Sequence, residues 1–207
     1  MRAHLLRWME AVLFVAGLAC LAASLWAVSE RTWFQWRYRA LESAPAGAGA
    51  DSARGGPLGR IEIPRVGVSA VILDGVEGRT LRRGVGHVPG TAYPGGSGGR
   101  IALAAHRDTF FRNLRFVRAG DTVRLTVPGL TAVYQVERTE VVKPWQTEVL
   151  QPVDDDVLTL LTCFPFTYLG RAPDRFVVQA RRVDPAFPRL VSACGCSPER
   201  MIDRGAR

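Results

Sequence analysis

The chain is short of lysine, histidine and cysteine. Its 207 residues include one lysine, Lys143, three histidines and four cysteines. Its net charge of +8 therefore comes from arginine. These arginines are scattered and are not accompanied by a zinc-finger, helix-turn-helix or aromatic RNA-binding motif, which disfavours nucleic acid as a partner. An anionic membrane surface or cell wall fits the charge better.

The cysteines are too few and too dispersed to form a disulfide framework. They are Cys20, Cys163, Cys194 and Cys196. Cys194 and Cys196 form a C-x-C pair without a second ligand cluster, which is a weak zinc signal. We interpret residues 185–207, which are rich in proline, glycine and charge, as a disordered C-terminal tail.

A long apolar run near the N terminus predicts a membrane-spanning helix. Residues 11–28 carry no charge, and 18 residues at about 1.5 Å each approach a hydrocarbon core of roughly 30 Å. Trp26, Trp33 and Trp36 follow as an interfacial aromatic belt would. We therefore expect a transmembrane anchor over residues 10–30.

Two other interpretations of this run are a cleaved signal peptide and a lipoprotein signal at Cys20. Both are disfavoured, because Gly17 fits poorly before a lipidated cysteine and the apolar run continues past Cys20. We expect residues 1–9 to form a short cytoplasmic tail. The part of the chain that follows the anchor would then lie outside the plasma membrane.

The segment after the anchor is predicted to be a tether. Residues 43–59 read SAPAGAGADSARGGPLG, a composition that cannot bury a core. We expect a flexible linker over residues 31–57, followed by one globular domain over residues 58–184.

Short β-type runs separated by Gly and Pro turns dominate that domain, and several alternate with period two. They are RIEIP, VSAVIL, RIALAAH, DTVRLTV, TAVYQVERTEVV, VLTLLTC and RFVVQARRV. Seven or eight short strands favour an all-β barrel or sandwich over a βαβ fold.

Two segments of the domain look helical. EGRTLRRGVGH offers Thr80 as a helix start, and HRDTFFRNLRFV offers Asp108 or Thr109 as an N-cap. The Gly-rich loop over residues 88–99 is long enough to mark irregular backbone and a site.

Three side chains at strand ends could perform acyl-transfer chemistry. A nucleophilic cysteine needs a proton-transfer partner and a donor for the oxyanion. His106 and Cys163 end apolar strands and Arg175 begins another, so all three could meet at one rim. Each taken alone has a plain structural explanation, Cys163 as a small buried hydrophobe above all. Spacing leaves Arg171 as a second arginine candidate.

The motif from Thr159 to Cys163, with Arg175 opening a strand twelve residues later, resembles the signature of the sortases. The upstream stretch GHVPGTAYPGGSGGRIALAAHRDTFFRNL strengthens this resemblance. Its His-Arg-Asp-Thr part, which runs into an aromatic segment and then GDTVRL, is similar to the class D branch in particular. The resemblance covers about residues 58–184. It implies a closed eight-stranded sortase-type β-barrel with one or two short helices, preceded by the transmembrane helix. It also implies a cysteine transpeptidase with no required cofactor, and favours Arg175 over Arg171.

The resemblance assigns roles to five residues. Cys163 would attack the carbonyl after the threonine of an LPXTG-like sorting signal, giving a thioacyl intermediate. His106 would protonate the leaving amine and deprotonate the incoming one. Arg175 would hold the substrate and stabilise the oxyanion. Thr162 would support the nucleophile, and His87 would contact substrate or serve the structure. The implied partners are proteins with sorting signals and an amine acceptor, which is a peptidoglycan stem peptide or a pilin lysine.

The chain departs from the family pattern at two places. Ala105 precedes His106 where glycine is more usual, and Gly99 stands where asparagine is expected. Calcium dependence stays open: the sequence offers no convincing carboxylate cluster, and we interpret the run Asp154 to Asp156 as a solvated turn.

Several other functions compete with the transpeptidase. Papain-like enzymes place the cysteine before the histidine, and the L,D-transpeptidases carry a different motif around the nucleophile. A tethered barrel that binds peptide or wall without catalysis, and a thiol peptidase that mainly hydrolyses, stay open alternatives.

Overall fold

The chain forms one long N-terminal helix and a closed barrel of eight strands. The computed structural model describes residues 2–37, 57–96, 98–168 and 170–184. The predicted all-β closed barrel is thereby confirmed. The predicted C-terminal tail with Cys194 and Cys196, and most of the predicted linker, lie outside the described residues.

The elements follow the predicted β-rich pattern. The helices are α1 (Arg2–Arg37) and α2 (Gly78–Arg83). The strands are β1 (Pro57–Ile63), β2 (Val68–Asp74), β3 (Val85–His87), β4 (Arg100–Ala104), β5 (Thr122–Val127), β6 (Leu130–Val142), β7 (Val157–Phe164) and β8 (Asp174–Arg182). Short 3₁₀ turns occupy Pro64–Val66, Arg112–Phe116 and Glu148–Leu150.

The strand order around the barrel brings distant parts of the chain together. The order is β1-β2-β3-β4-β7-β8-β6-β5, and β5 closes onto β1. β4 and β7 are parallel, whereas β7 and β8 are antiparallel. The C-terminal ends of β4 and β7 and the start of β8 therefore meet at one rim.

The barrel interior is filled by alternate side chains of each strand. In β5, Val123 and Leu125 are buried while Arg124 between them is exposed. Ile61, Leu103 and Leu158 are fully buried in the same cluster. Burial of a side chain of this size contributes about 1.5–3 kcal/mol, so the rim stands on a well-packed core.

Helix α1 contains one stretch that is long and apolar enough to cross a membrane. It covers Arg7–Trp26, with a mean hydropathy of 1.9 and no burial against the rest of the chain. The helix continues to Arg37, into the segment predicted as linker. Its end is bonded to the barrel: the Gln35 side chain accepts from the Val71 N–H at 3.0 Å and donates to the Arg83 carbonyl at 2.8 Å.

Local structure differs from the prediction at three places. Helix α2 begins at Gly78 with Glu77 as its N-cap, and Thr80 lies inside it. The segment after His106 forms turns and a 3₁₀ helix, without a side-chain cap from Asp108 or Thr109. Strand β3 was not predicted as a strand, because its three residues follow directly on the helical pattern of α2.

Candidate active site

His106, Cys163 and Arg175 meet at the rim formed by β4, β7 and β8. Cys163 and Arg175 are direct register partners across the antiparallel β7–β8 pair. The Ala105 N–H donates to the Leu161 carbonyl at 3.2 Å, which carries the β4–β7 pairing up to His106. All three side chains are half-buried and line the same cleft.

Thr162 connects the cysteine strand to the histidine strand. Its hydroxyl donates to the Ala105 carbonyl at 2.8 Å, and both residues are buried. The residue before the cysteine is thus bonded to the residue before the histidine. Since buried polar groups are held by their hydrogen bonds, this contact fixes the relative position of the two strand ends.

Arg175 is held by the backbone that leads into β8. Its Nη1 donates to the carbonyls of Asp174 at 2.9 Å and Ala172 at 3.3 Å. Arg171 also lines the cleft, but it lies on the loop and is exposed. The strand position opposite Cys163 therefore distinguishes the two arginine candidates, and it favours Arg175.

The cleft has two parts that share His106, Cys163 and Arg175. One part is a mainly apolar groove of about 410 Å³. Its apolar lining includes Val76, Leu81, Val88, Val142, Val149, Leu150 and Leu161. The other part is a polar basin that also contains Arg107, Asp108 and Arg171. The three shared side chains stand at the junction of the two parts.

The one lysine of the chain also lies at this cleft. Lys143 follows β6, and its Nζ is 2.6 Å from an oxygen of Asp174. Asp174 immediately precedes Arg175, so the ion pair ties the end of β6 to the start of β8. Lys143 is half-exposed, which leaves its ammonium in contact with solvent.

His87 supports the loop over residues 88–99 from behind. It is 1% exposed, and it is not among the residues that line the two parts of the cleft. Its ring nitrogens lie 3.1 Å from the Ala92 carbonyl and 3.3 Å from Asp74. Its ring centre is 4.4 Å from that of Tyr93, where the charge of Asp74 raises the pKa of the Tyr93 hydroxyl. These contacts favour the structural role over substrate contact.

The two departures from the family pattern have local explanations. Gly99 has a φ of +96°, a conformation that residues with a side chain rarely adopt. A Cβ atom there would lie 3.3 Å from that of Ala92. Ala105 is 5% exposed and accommodates its methyl group in the core cluster.

Of the predicted acidic run, Asp155 and Asp156 are engaged by arginines of β8. Arg181 lies 2.7 Å from an oxygen of Asp155, and Arg182 lies 3.4 Å from an oxygen of Asp156. These pairs stand at the other end of β8 from Arg175, and they give the run a structural role.

The model of the family described as the sortase domain matches residues 61–183, which cover most of the barrel and more than half of the chain. The chain belongs to the sortase family. It is 34% identical over 126 residues to Sortase D of Bacillus subtilis strain 168. That match covers 60% of this chain and 63% of the curated relative, so it spans less than two thirds of the relative's length.

Solved structures agree with this assignment. Sortase C-1 from Actinomyces oris is 37% identical with a TM-score of 0.57, covering 60% of this chain and 72% of that one. A Clostridium perfringens Sortase D5 transpeptidase has a TM-score of 0.64 and covers 75% of this chain and 99% of that one. At 24% identity, the second likeness supports the fold alone.

Sequence reasoning missed two contributors to this sortase site. Arg107 lines the polar basin and bonds to the loop between β7 and β8. Lys143 was noted only as the single lysine. The only signal in the sequence for Arg107 was its position next to His106. No sequence pattern indicates that Lys143 pairs with Asp174.

Proposed function

We propose that this sortase-family chain is a membrane-anchored cysteine transpeptidase. It cleaves an LPXTG-like sorting signal after the threonine and transfers the protein to an amine. The observation that supports it best is the pairing of Cys163 with Arg175 on adjacent strands, in one cleft with His106.

The proposed reaction has two halves that use the same three groups. The Cys163 thiolate attacks the threonine carbonyl carbon, and the Arg175 guanidinium stabilises the oxyanion that develops. His106 protonates the departing amine, which leaves a thioacyl enzyme. An incoming amine then attacks the thioester and gives its proton to His106, and the Cys163 thiolate leaves. The acyl group ends in a new amide bond.

The two-part cleft suits a sorting signal with apolar side chains before the scissile bond. Leu81, Val88 and Leu161 offer these side chains an apolar wall, and burial there supplies binding energy. The polar basin on the other side of Cys163 leaves room for the amine acceptor. We assign a peptidoglycan stem peptide or a pilin lysine to this second position.

We assign helix α1 to a single-pass anchor, and we place its N terminus inside the cell. The apolar window ends at Trp26, and the barrel follows on its C-terminal side. Protease added outside spheroplasts should remove the barrel and leave a small membrane stub. Full protection of the barrel in intact spheroplasts, with digestion after lysis, would reverse the orientation.

A labelling and transfer experiment tests the enzyme assignment. In a chain with Cys20, Cys194 and Cys196 replaced by alanine, a vinyl sulfone that mimics the sorting signal should modify Cys163. His106→Ala and Arg175→Ala should slow this modification. Product release with and without an added amine separates transfer from hydrolysis. If Cys163→Ala turned over every accepted peptide as fast as its parent, the assignment would be lost.

A further inference from the structure

Arg107 joins the histidine segment to the loop between the cysteine and arginine strands. Its Nη1 donates to the Pro165 carbonyl at 3.0 Å. Its Nη2 donates to the carbonyls of Tyr168 at 2.6 Å and Gly170 at 3.1 Å. The guanidinium carbon also lies 6.0 Å from the centre of the Tyr168 ring. One side chain thus bonds to three carbonyls of the β7–β8 loop, residues 165–173.

The geometry of these bonds requires a guanidinium. The guanidinium is planar and rigid, so its two terminal nitrogens donate in fixed directions within that plane. They reach carbonyls that are up to five residues apart in the chain. A lysine ammonium is a single point donor and cannot span the same set. Arg107 is half-buried, and its bond to the Pro165 carbonyl is partly buried, whereas the bonds to Tyr168 and Gly170 lie at the surface of the loop.

The same loop also holds Arg175. The Ala172 carbonyl, two residues beyond Gly170, accepts from Arg175 Nη1 at 3.3 Å. Gly170 and Ala172 line the polar basin together with His106 and Cys163. A hydrogen-bonded connection therefore runs from Arg107, beside the histidine, through the loop backbone to the arginine opposite the cysteine.

We propose that Arg107 is a positioning residue of the transfer reaction. It holds the β7–β8 loop against the His106 segment, so that Arg175 stays opposite Cys163 when the oxyanion forms. Displacement of a group that stabilises the transition state by about 1 Å can cost roughly 100-fold in rate. The inference rests on the proposed transpeptidase function, which it extends by one residue.

The test compares Arg107→Lys and Arg107→Gln with the control Arg100→Lys in the full-length protein in detergent micelles. Arg100 makes a similar fork at the other end of β4, to the Gln151 carbonyl and the Thr159 hydroxyl, each at 2.8 Å. Peptide turnover, amide hydrogen exchange over residues 166–172 and thermal unfolding are measured for each variant.

We expect both Arg107 variants to raise amide exchange in the loop several-fold, and Arg100→Lys to leave it unchanged. We expect kcat to fall by about 10- to 100-fold with KM within about threefold in the Arg107 variants. Arg107→Lys keeps the charge, so it serves as the readout if Arg107→Gln does not fold.

Three results would overturn the proposal. One is unchanged loop exchange in Arg107→Lys. Another is a raised KM with unchanged kcat, which would make Arg107 a substrate-binding group. The third is an equal loss of kcat in Arg100→Lys, which would mean that the loss in the Arg107 variants reflects lower stability of the whole domain. A wild-type protein that is inactive on every peptide, yet shows the exchange difference, would count against the transpeptidase function and keep the loop contact.

Discussion

Replacing Thr162 by valine removes one buried hydrogen-bond donor from the barrel wall and keeps the branched shape of the side chain. The hydroxyl donates to the Ala105 carbonyl at 2.8 Å, and Thr162 is 3% exposed. Valine leaves that carbonyl, on a residue that is 5% exposed, without this partner. An unsatisfied buried acceptor costs about 1–3 kcal/mol, so we expect Thr162→Val to lower the free energy of unfolding by that amount.

The same change should slow the reaction, because Ala105 precedes His106. At about 4 °C per kcal/mol for a domain of this size, the unfolding temperature should fall by several degrees. Thr162→Ser is the matched control: it loses one methyl group, worth about 1 kcal/mol, and keeps the hydroxyl. We expect kcat to fall in the valine variant and to stay near wild type in the serine variant.

Thermal unfolding in detergent and peptide turnover at saturating substrate measure the two effects. If Thr162→Val unfolded within about 0.5 kcal/mol of the wild type and turned over peptide at the same rate, the hydroxyl would not be holding the strand ends together. Equal loss of kcat in both variants would show that keeping the hydroxyl does not preserve the rate, and it would refute the hydrogen-bond explanation.

Four further substitutions test other parts of the structure. Arg175→Lys should lower kcat/KM by about 100- to 1,000-fold in a peptide assay, whereas Arg171→Lys should stay within about threefold of wild type. Hydrogen bonding from Arg65 holds the pKa of Asp121 below its usual range, so its stabilisation is present above the unfolded value of about 3.9 and is lost as pH falls through the folded value. Asp121→Asn should therefore lower the unfolding temperature at neutral pH and flatten its fall on acidification, and an unchanged acid profile would contradict this. Gly99→Ala should cost about 1–2 kcal/mol in chemical denaturation, since its φ is +96°, and no loss would show that the loop can adapt.

The barrel could be predicted because its strands show a local pattern of alternating or apolar residues. The positions of His106, Cys163 and Arg175 could be predicted because they lie in family motifs. β5 and β7 read as strands from alternation and from apolar length. His106, Cys163 and Arg175 stand at strand ends, which the sequence shows directly. Their meeting at one rim follows once β4 and β7 are parallel neighbours.

The remaining features depend on pairing across long sequence separations. The bond from Thr162 to Ala105 joins residues 57 apart, and the bonds from Arg107 to the β7–β8 loop join residues 58 to 63 apart. No periodicity in the sequence encodes these partners. The predicted helix after His106 is a 3₁₀ turn instead, because the buried pair Phe111 and Leu114 is three residues apart, which fits three residues per turn equally well.

The pairing of Lys143 with Asp174 has a practical consequence. In the transfer reaction proposed above, the thioacyl intermediate would be exposed to the chain's own amines as well. This chain offers a single ε-amine, on Lys143, and an oxygen of Asp174 lies 2.6 Å from it. Lysine-directed reagents would accordingly meet one internal target, right beside the cleft. A dye or crosslinker attached there would report on occupancy of the groove without any engineered residue.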